Sequence, residues 1–276
     1  ERGFLITHMR HASLFSGIGG FDLAAEWMGW ENIFHCEWNP FCQTVLKHHF
    51  PNSISYEDIT QTDFSIHKGQ VDIITGGFPC QPYSTAGLRK GKDDDRHLFP
   101  QMLRVIKEVQ PRWVVGENVS GLVGWNDGLV FHEVYDDLES QGYEVQSFLI
   151  PAAAVNAKHE RKRVFFIAHS QRHGLEHRDQ TRDISEEKRK TFRQRSELAD
   201  ESKTNGRQFD TNGKIYVEAE RLICRGVNGF SERLDTISFP KWRKESIKAY
   251  GNAVVPQVIH NIFKVIEEVD IKIYSK

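Results

Sequence analysis

Short hydrophobic runs alternate with stretches of helical periodicity from residue 12 to about residue 169. This alternation is typical of βαβ units, in which helices join parallel strands and cover the sheet that the strands form. The hydrophobic runs predict strands at 12–15, 32–36, 71–76, 113–117, 144–151 and 163–169. The intervening periodicity predicts helices at 20–28, 40–49, 100–110 and 130–141. We therefore expect an α/β fold built around a mainly parallel sheet.

The pattern breaks down between residue 170 and about residue 213, where polar and charged residues dominate and no periodicity is visible. Such a segment is either a disordered linker or a small polar domain that contacts a charged partner. Apolar residues then return, and the segment 246–269 predicts a glycine turn followed by an amphipathic helix. The apolar face of that helix is formed by Val254, Val258, Ile262, Val265, Ile266 and Val269. We expect it to dock on the exposed face of the sheet.

These changes divide the chain into domains. Residues 9–169 and 245–276 form one predicted domain, and residues 170–244 form a second, smaller one. Met9 directly precedes the first predicted strand, so we interpret residues 1–8 as a cloning remnant.

Charge is distributed unevenly, although the net charge is only −2. Residues 158–196 contain 12 basic and 6 acidic residues. A local surplus of this kind is a typical footprint for neutralising phosphates, although a solvated basic loop has the same composition. The sequence shows neither an apolar stretch of the roughly 20 residues that cross a bilayer nor a secretion signal. We expect a cytoplasmic protein without membrane contact.

The four cysteines, at positions 36, 42, 80 and 224, form no CxxC pair. Reduced thiols are therefore expected, rather than a disulfide framework or a zinc site, and we predict no bound metal. Cys36 and Cys42 have the character of small buried hydrophobes. Cys80 differs, because the surrounding segment 76–84 is a Gly/Pro loop that follows a predicted buried strand. At that edge of the sheet a thiolate is available as a nucleophile.

A glycine-rich turn in segment 13–20 follows the first predicted strand and leads into a helix. Free N–H groups at such a helix N-terminus suit a carboxylate or a phosphate. Glu37, about 20 positions later and next to Trp38, occupies the place where nucleoside-binding folds accept hydrogen bonds from ribose hydroxyls. Asp58 could accept a hydrogen bond from an adenine amino group. These features fit an adenosyl ligand without excluding a dinucleotide.

Glu117 ends another predicted strand and should share a sheet edge with Cys80. Carbon 5 of cytosine is a poor nucleophile, and it becomes reactive when a thiolate adds to carbon 6 and a proton is donated at ring N3. A cysteine together with a carboxylic acid of raised pKa meets that requirement.

Five short motifs occur in an order and spacing that resemble the bacterial cytosine-5 DNA methyltransferases of restriction-modification or phage type. They are the segments 15–20 (FSGIGG), 79–81 (PCQ), 117–119 (ENV), 161–163 (RKR) and 251–256 (GNAVVP). The resemblance covers residues 12–169 and 246–269. It implies a Rossmann-like class I S-adenosylmethionine-dependent methyltransferase fold, plus a small DNA-recognition domain at residues 170–244.

The resemblance also implies residue roles. Catalysis would involve Cys80 as nucleophile, with Glu117, Arg161 and Arg163. The cofactor S-adenosyl-L-methionine, and its product S-adenosyl-L-homocysteine, would be bound by Phe15, Gly17, Ile18, Gly20, Glu37, Trp38, Asp58, Ile59, Pro79, Leu98, Asn252, Ala253 and Val254. Contacts with substrate or DNA would come from Phe78, Gln81, Ser84 and Asn118. One departure is His159, which stands where the family usually has Gln, so any role of that Gln is in doubt.

The implied partner is double-stranded DNA, and we expect a monomer to bind it. A cognate restriction endonuclease is a possible second component, and it would act separately. Three other functions compete with DNA methylation. RNA cytosine-5 methyltransferases resemble one another in placing their nucleophilic cysteine where this chain has Glu117-Asn-Val119. A tRNA-modifying member of the DNA-type family is harder to exclude. A regulator that has lost activity is disfavoured, because Cys80, Glu117, Arg161 and Arg163 occur together.

Overall fold

The computed structural model describes residues 9–79, 98–155, 157, 160–171, 207–209, 215–218 and 242–274. Its centre is a nine-stranded sheet with the strand order β3-β2-β1-β4-β5-β7-β6-β9-β8. The strands are β1 (Arg10–Leu14), β2 (Glu31–Cys36), β3 (Ile54–Tyr56), β4 (Ile73–Gly76), β5 (Trp113–Val119), β6 (Tyr143–Pro151), β7 (Lys162–Ser170), β8 (Arg207–Phe209) and β9 (Ile215–Glu218).

Strands β1 to β5 run parallel to one another, whereas β7 runs antiparallel to β5 and β6, between which it lies. The prediction of a mainly parallel α/β sheet is therefore confirmed. All six predicted strands are present, with ends that differ by up to two residues. The short strands β3, β8 and β9 were not predicted, because three or four residues give too little periodicity to detect.

Helices cover both faces of the sheet. They are α1 (Gly20–Trp27), α2 (Pro40–His49), α3 (Phe99–Val109), α4 (Leu129–Ser140), α5 (Trp242–Asn252) and α6 (Pro256–Tyr274). On one face, α3 and α4 pack through Met102, Val105, Phe131 and Val134 against β4, β5 and β7. On the other face, α1 and α6 form a second core with Trp113 and Val115 of β5.

The terminal helix α6 docks on the sheet as its periodicity predicted. Val258, Ile262 and Ile266 are buried in the second core, where Phe263 also stacks on Trp30 with ring centroids 4.6 Å apart. One assigned position was wrong: Val265 is 61% exposed and does not belong to the buried face. With 100° between successive residues, Ile266 points into the core while Val265 stays exposed at the side of the helix, where it lines an open apolar groove with Phe148 and Ile167 of the sheet.

The predicted glycine turn before this helix is also wrong in position. Gly251 and Asn252 are the last two residues of α5, and the break between the helices falls at residues 253–255. The Ala253 amide still donates to the Ala249 carbonyl at 2.9 Å, which continues the helical pattern by one residue. Pro256 then starts α6, where its missing N–H has no cost. Within the described residues, no helix is long and apolar enough to cross a membrane.

Docking of α6 can be tested with two identical substitutions on the same helix. Ile266 is 2% exposed in the core beneath α6, whereas Ile271 is 47% exposed. We expect Ile266→Ala to lower the free energy of unfolding by about 2–5 kcal/mol, because it removes buried contacts and leaves a cavity. Ile271→Ala should change it by no more than about 0.5 kcal/mol. Equilibrium unfolding in urea measures both, and equal losses would contradict this packing.

Candidate active site

The candidate site lies at the sheet edge where the parallel strands β4 and β5 end. Because β7 is antiparallel, its first residues lie at this same edge, with Arg163 opposite Val119. Glu117 and Arg163 are diagonal neighbours on one face of this strand pair, and Arg163 Nε lies 2.8 Å from Glu117 Oε1. Strand geometry therefore brings a carboxyl group and a guanidinium together from positions 46 residues apart in the chain.

Glu117 is buried, and its protonation reflects two opposing influences. Burial raises the pKa of the Glu117 carboxyl, and the charges of Arg163 and Arg161 lower it, with a net shift above the ordinary value of 4.5. Loss of solvation disfavours the charged form, and nearby cations favour it. The carboxyl group thus holds its proton more strongly than an exposed glutamate does.

Beside Glu117 begins the loop that carries the sequence-predicted nucleophile. Asn118 Nδ2 donates to the Phe78 carbonyl at 3.1 Å, which fixes the chain just before Pro79. A Cβ atom on Gly77 would lie 3.2 Å from Glu117 Oε2, so the loop passes close to the carboxyl group. Cys80, Gln81 and Ser84 themselves lie outside the described residues, as does His159.

Arg161 connects this edge to the end of α5. Its Nη2 donates to the Gly251 carbonyl at 2.7 Å, and its Nη1 donates to the Tyr250 carbonyl at 3.4 Å. A cation is favourable there, because the last carbonyls of a helix carry partial negative charge. Burial lowers the pKa of the Arg161 guanidinium, as does the charge of Arg163, while Glu117 raises it. Arg161 thereby ties the RKR segment to the GNAVVP segment.

The glycine-rich turn after β1 contains the sharpest backbone geometry. Phe15, Gly17 and Gly19 all have positive φ, at 52°, 56° and 82°. The left-handed Phe15 explains why β1 ends at Leu14 rather than at residue 15 as predicted. At Gly17 a Cβ atom would meet none of the described residues within 4 Å, whereas at Gly19 it would lie 2.5 Å from Phe50 Cε2. Gly17 is therefore open on its outer side, and Gly19 is required for packing.

Glu37 lies directly beside this turn, as its spacing suggested. Glu37 Oε2 accepts from the Gly17 amide at 2.8 Å, and Glu37 Oε1 accepts from the Asn39 amide at 2.7 Å. Burial raises the pKa of Glu37, and the backbone hydrogen bonds from Asn39 and Gly17 lower it. The carboxylate is thus held at the ends of β1 and β2 by two amides.

Trp38, Asp58 and Ile59 continue the same edge. Trp38 is 70% exposed, so its ring face is free of the core, whereas Ile59 is buried in it. Asp58 Oδ1 accepts from the Thr60 amide and from Thr60 Oγ1, at 2.9 and 2.7 Å. The backbone of this loop is fastened from α3, where Arg104 donates to the carbonyls of Ile59 and Thr62.

The remaining sequence-predicted cofactor residues that the structure describes here lie around the end of α5, at the start of α1 and before α3. Ala253 packs in a cluster with Ile18 and Phe41, so the segment after α5 approaches the glycine turn, and Gly20 begins α1 in that turn. Val254 packs in the core beneath α6, and Asn252 is exposed. Leu98 precedes α3 and its described contacts are with Gln101 and Met102 of that helix rather than with the turn.

Sequence reasoning missed Arg104 and the buried pair formed by Ser13 and Asp22. Asp22 looked like an ordinary acidic residue in the first turn of a helix, yet both members of the pair are fully buried. The available signal was its position on the apolar side of α1, between Phe21 and Leu23. Arg104 gave only the local signal of an i,i+4 pair with Glu108, and its contacts with the loop were not predictable because they are made to backbone carbonyls.

A family model described as C-5 cytosine-specific DNA methylase matches residues 9–232. The chain belongs to this family. The described geometry brings the glycine turn, Glu117 and the RKR segment of this chain to one sheet edge.

Curated relatives include type II methyltransferases. M.PspPI of Psychrobacter is 34% identical over 56% of this chain and 38% of its own length. M.Bsp6I of Bacillus is 33% identical over 56% of this chain and 50% of its own length. The chain thus matches half or less of the length of these relatives.

Solved structures give the same fold. The S. pombe Dnmt2 methyltransferase covers 95% of this chain and 99% of its own, with a TM-score of 0.59 at 17% identity, which supports the fold alone. A Spodoptera frugiperda DNMT2 mutant is 26% identical over 59% of this chain and 50% of its own, with a TM-score of 0.50. The expectation of a Rossmann-like methyltransferase fold is therefore confirmed.

The opposing effects of Arg163 and of burial on the pKa of Glu117 can be measured. Since Arg163 lowers the pKa of Glu117, Arg163→Ala should raise that pKa further above its ordinary value. The carboxyl ¹³C shift of labelled glutamate, followed against pH and assigned with Glu117→Gln, reports the change. Arg10→Ala serves as the control, because Arg10 pairs with Asp72 instead. An unchanged or lower Glu117 pKa in Arg163→Ala would contradict the assigned electrostatics.

Proposed function

We propose that the protein is a DNA (cytosine-5-)-methyltransferase that methylates carbon 5 of a flipped-out cytosine in a specific duplex DNA sequence. The methyl donor is S-adenosyl-L-methionine, and S-adenosyl-L-homocysteine is the product. The observation that carries the proposal is the buried Glu117 carboxyl group, paired with Arg163 and adjacent to the start of the loop that contains Cys80. Family membership supports the reaction class.

The residues around the glycine turn fit an adenosyl ligand. Gly17 has open space on its outer side, and Glu37 presents a carboxylate at the same edge. The exposed ring of Trp38 offers a stacking surface, and Asp58 Oδ2 can accept from an adenine amino group. When bound, the cofactor supplies a methyl group activated by a sulfonium centre. Phe15 to Gly20, Glu37, Trp38, Asp58 and the 252–254 segment would hold it.

In this proposal the Cys80 thiolate adds to carbon 6 of cytosine, and Glu117 donates its proton to ring N3. Carbon 5 then has the electron density to take the methyl group. The carbon-5 proton then passes to solvent, the bond between carbon 6 and Cys80 breaks and releases the thiolate, and N3 returns its proton to Glu117, which restores the aromatic ring. The raised pKa of Glu117 supports the donor role, because a carboxyl group with a higher pKa stays protonated over a wider pH range than an exposed glutamate and so can deliver a proton.

A base stacked in a duplex cannot present carbon 6 to a protein thiolate, so the target cytosine must rotate out of the helix. Arg161 and Arg163 add positive charge beside Glu117, where a flipped nucleotide brings its phosphates. We assign the recognition of the DNA sequence to residues 170–244. The basic stretch 158–196, which overlaps the beginning of this segment, suits a phosphate backbone. A monomer suffices for this scheme, and a cognate restriction endonuclease would act separately.

Replacing the nucleophile is the first test. Cys80→Ala should abolish methyl transfer to duplex DNA, because no thiol remains to activate the ring, while binding of S-adenosyl-L-homocysteine is retained. Cys42→Ala is the matched control, since Cys42 is a buried free cysteine in the core and should be dispensable for turnover. Tritium transfer from labelled cofactor measures activity. Substantial methylation by Cys80→Ala would overturn the mechanism.

A second test concerns the cofactor site. Trp38→Ala should raise the Kd for S-adenosyl-L-homocysteine by roughly tenfold, since an aromatic stacking contact of about 0.5–1.5 kcal/mol is lost with its buried area. Trp27→Ala is the control, because Trp27 is also an exposed tryptophan but contacts His260 of α6. Isothermal titration calorimetry gives both values. Equal affinities in the two variants would remove Trp38 from the site.

The substrate is decided by comparing nucleic acids in one assay. We expect methylation of duplex plasmid DNA at a defined sequence, read by bisulfite sequencing of plasmid from cells that express the protein. Purified tRNA is the competing substrate, and preferential methylation of tRNA would replace the DNA assignment. The absence of protected cytosines in both would overturn the proposed function.

A further inference from the structure

A buried cluster of polar side chains lies beneath the glycine turn. Its members are Ser13 at the end of β1, Ser16 in the turn and Asp22 in α1, and each is buried. None of the roles proposed above uses Ser13 or Asp22. A fully buried carboxyl group is costly unless other groups compensate it, so its place in the core calls for a physical reason.

Three short contacts join the cluster. Ser13 Oγ lies 2.7 Å from Ser16 Oγ, and it lies 2.9 and 3.0 Å from the two carboxyl oxygens of Asp22. Burial raises the pKa of Asp22 to about 7, against the hydrogen bond from Ser13, which lowers it. The Ser13 hydroxyl can donate to the carboxylate or accept from the neutral acid, so the contact persists in both forms.

The cluster also fastens the turn to its neighbours. Ser16 Oγ accepts from the Cys36 amide at 3.2 Å, which links the turn to the end of β2. On α1, the Asp22 carbonyl accepts from Asn32 Nδ2 at 3.1 Å. Through these contacts the cluster joins β1, β2 and α1, which meet at the turn.

The cluster bears directly on the two segments proposed to bind the cofactor, which are the glycine turn and Glu37. Ser16 precedes Gly17, whose amide donates to Glu37 Oε2, and Cys36 precedes Glu37. Holding Ser16 against Cys36 therefore sets the position of Gly17 relative to Glu37. We propose that Ser13 and Asp22 are positioning residues that preorganise the cofactor-binding turn by holding Ser16 against the end of β2. This inference rests on the cofactor site of the proposed function.

A purely structural role would predict a different response to mutation. Buried polar networks specify one arrangement of the backbone, whereas ordinary buried hydrogen bonds add stability alone. If the cluster positions the turn, its loss makes the ligand order the turn on binding, and affinity falls. If it only stabilises the fold, affinity stays constant once the variant is folded.

The matched experiment uses two serine-to-alanine substitutions. Ser13→Ala removes the centre of the cluster, and Ser147→Ala removes another fully buried hydroxyl, which accepts from Tyr135 Oη at 2.8 Å between β6 and α4. Titration of the full chain with S-adenosyl-L-homocysteine gives the Kd, and thermal unfolding without ligand gives Tm. We expect both variants to lose Tm. Only Ser13→Ala should also bind roughly tenfold more weakly, the loss expected for one hydrogen bond to a charged group.

Two further variants sharpen the test. Asp22→Asn keeps the shape and the hydrogen-bonding capacity of the side chain, so it should stay within about threefold of the wild-type Kd. Ser16→Ala removes the other hydroxyl and should weaken binding as Ser13→Ala does, which keeps the test decisive should Ser13→Ala not fold.

The possible results separate the two proposals. Wild-type binding together with equal Kd values for the Ser13, Ser16 and Ser147 variants would overturn the positioning role and leave the proposed function intact. Failure of the wild-type chain to bind S-adenosyl-L-homocysteine would overturn the proposed function and this inference with it. Weakened binding in the Ser13 and Ser16 variants alone would support both.

Discussion

The contact between Glu117 and Arg163 sets the chemistry available at this sheet edge. Burial raises the pKa of Glu117, and the charge of Arg163 lowers it. The structure combines burial with a guanidinium 2.8 Å away, and the net pKa remains above the ordinary value. The proposed donor role uses this balance, since such a group must hold its proton more strongly than an exposed carboxyl and still be able to release it.

That contact depends on the antiparallel strand β7. A parallel strand in its place would begin at the opposite edge, and the RKR segment would lie a strand length away from Glu117. Because β7 runs the other way, Arg163 faces the end of β5, and Arg161 reaches the last carbonyls of α5. The same strand thus joins the catalytic edge to the segment at 252–254. Its direction, more than any single side chain, gathers the motifs.

The sequence allowed much of this to be predicted where the signal was local. The six main strands and four helices follow from periodicity, and Glu37 follows from its distance to the glycine turn. The pairing of Glu117 with Arg163 could not be predicted by that reasoning, because strand direction is a property of the whole sheet. Asp22 was missed because acidic residues in a first helical turn are usually exposed, and its apolar neighbours in the sequence, Phe21 and Leu23, were the only sign of its burial. Cys80 is still known from sequence alone, since it lies outside the described residues.

Two glycines connect the cofactor half of the site to the nucleophile half. A Cβ atom at Gly76 would lie 3.2 Å from the Met102 side chain and 3.3 Å from the Leu14 carbonyl, at the end of β1. At Gly77 it would lie 3.2 Å from Glu117 Oε2. The chain that leads to Cys80 therefore passes between the strand that precedes the glycine turn and the strand that carries the carboxyl group. In the proposed reaction a methyl donor at the turn and a base beside Glu117 would meet across that space, and a larger residue at either glycine would require these neighbours to shift. The pair of glycines is thus a constraint on the reaction geometry as well as on packing.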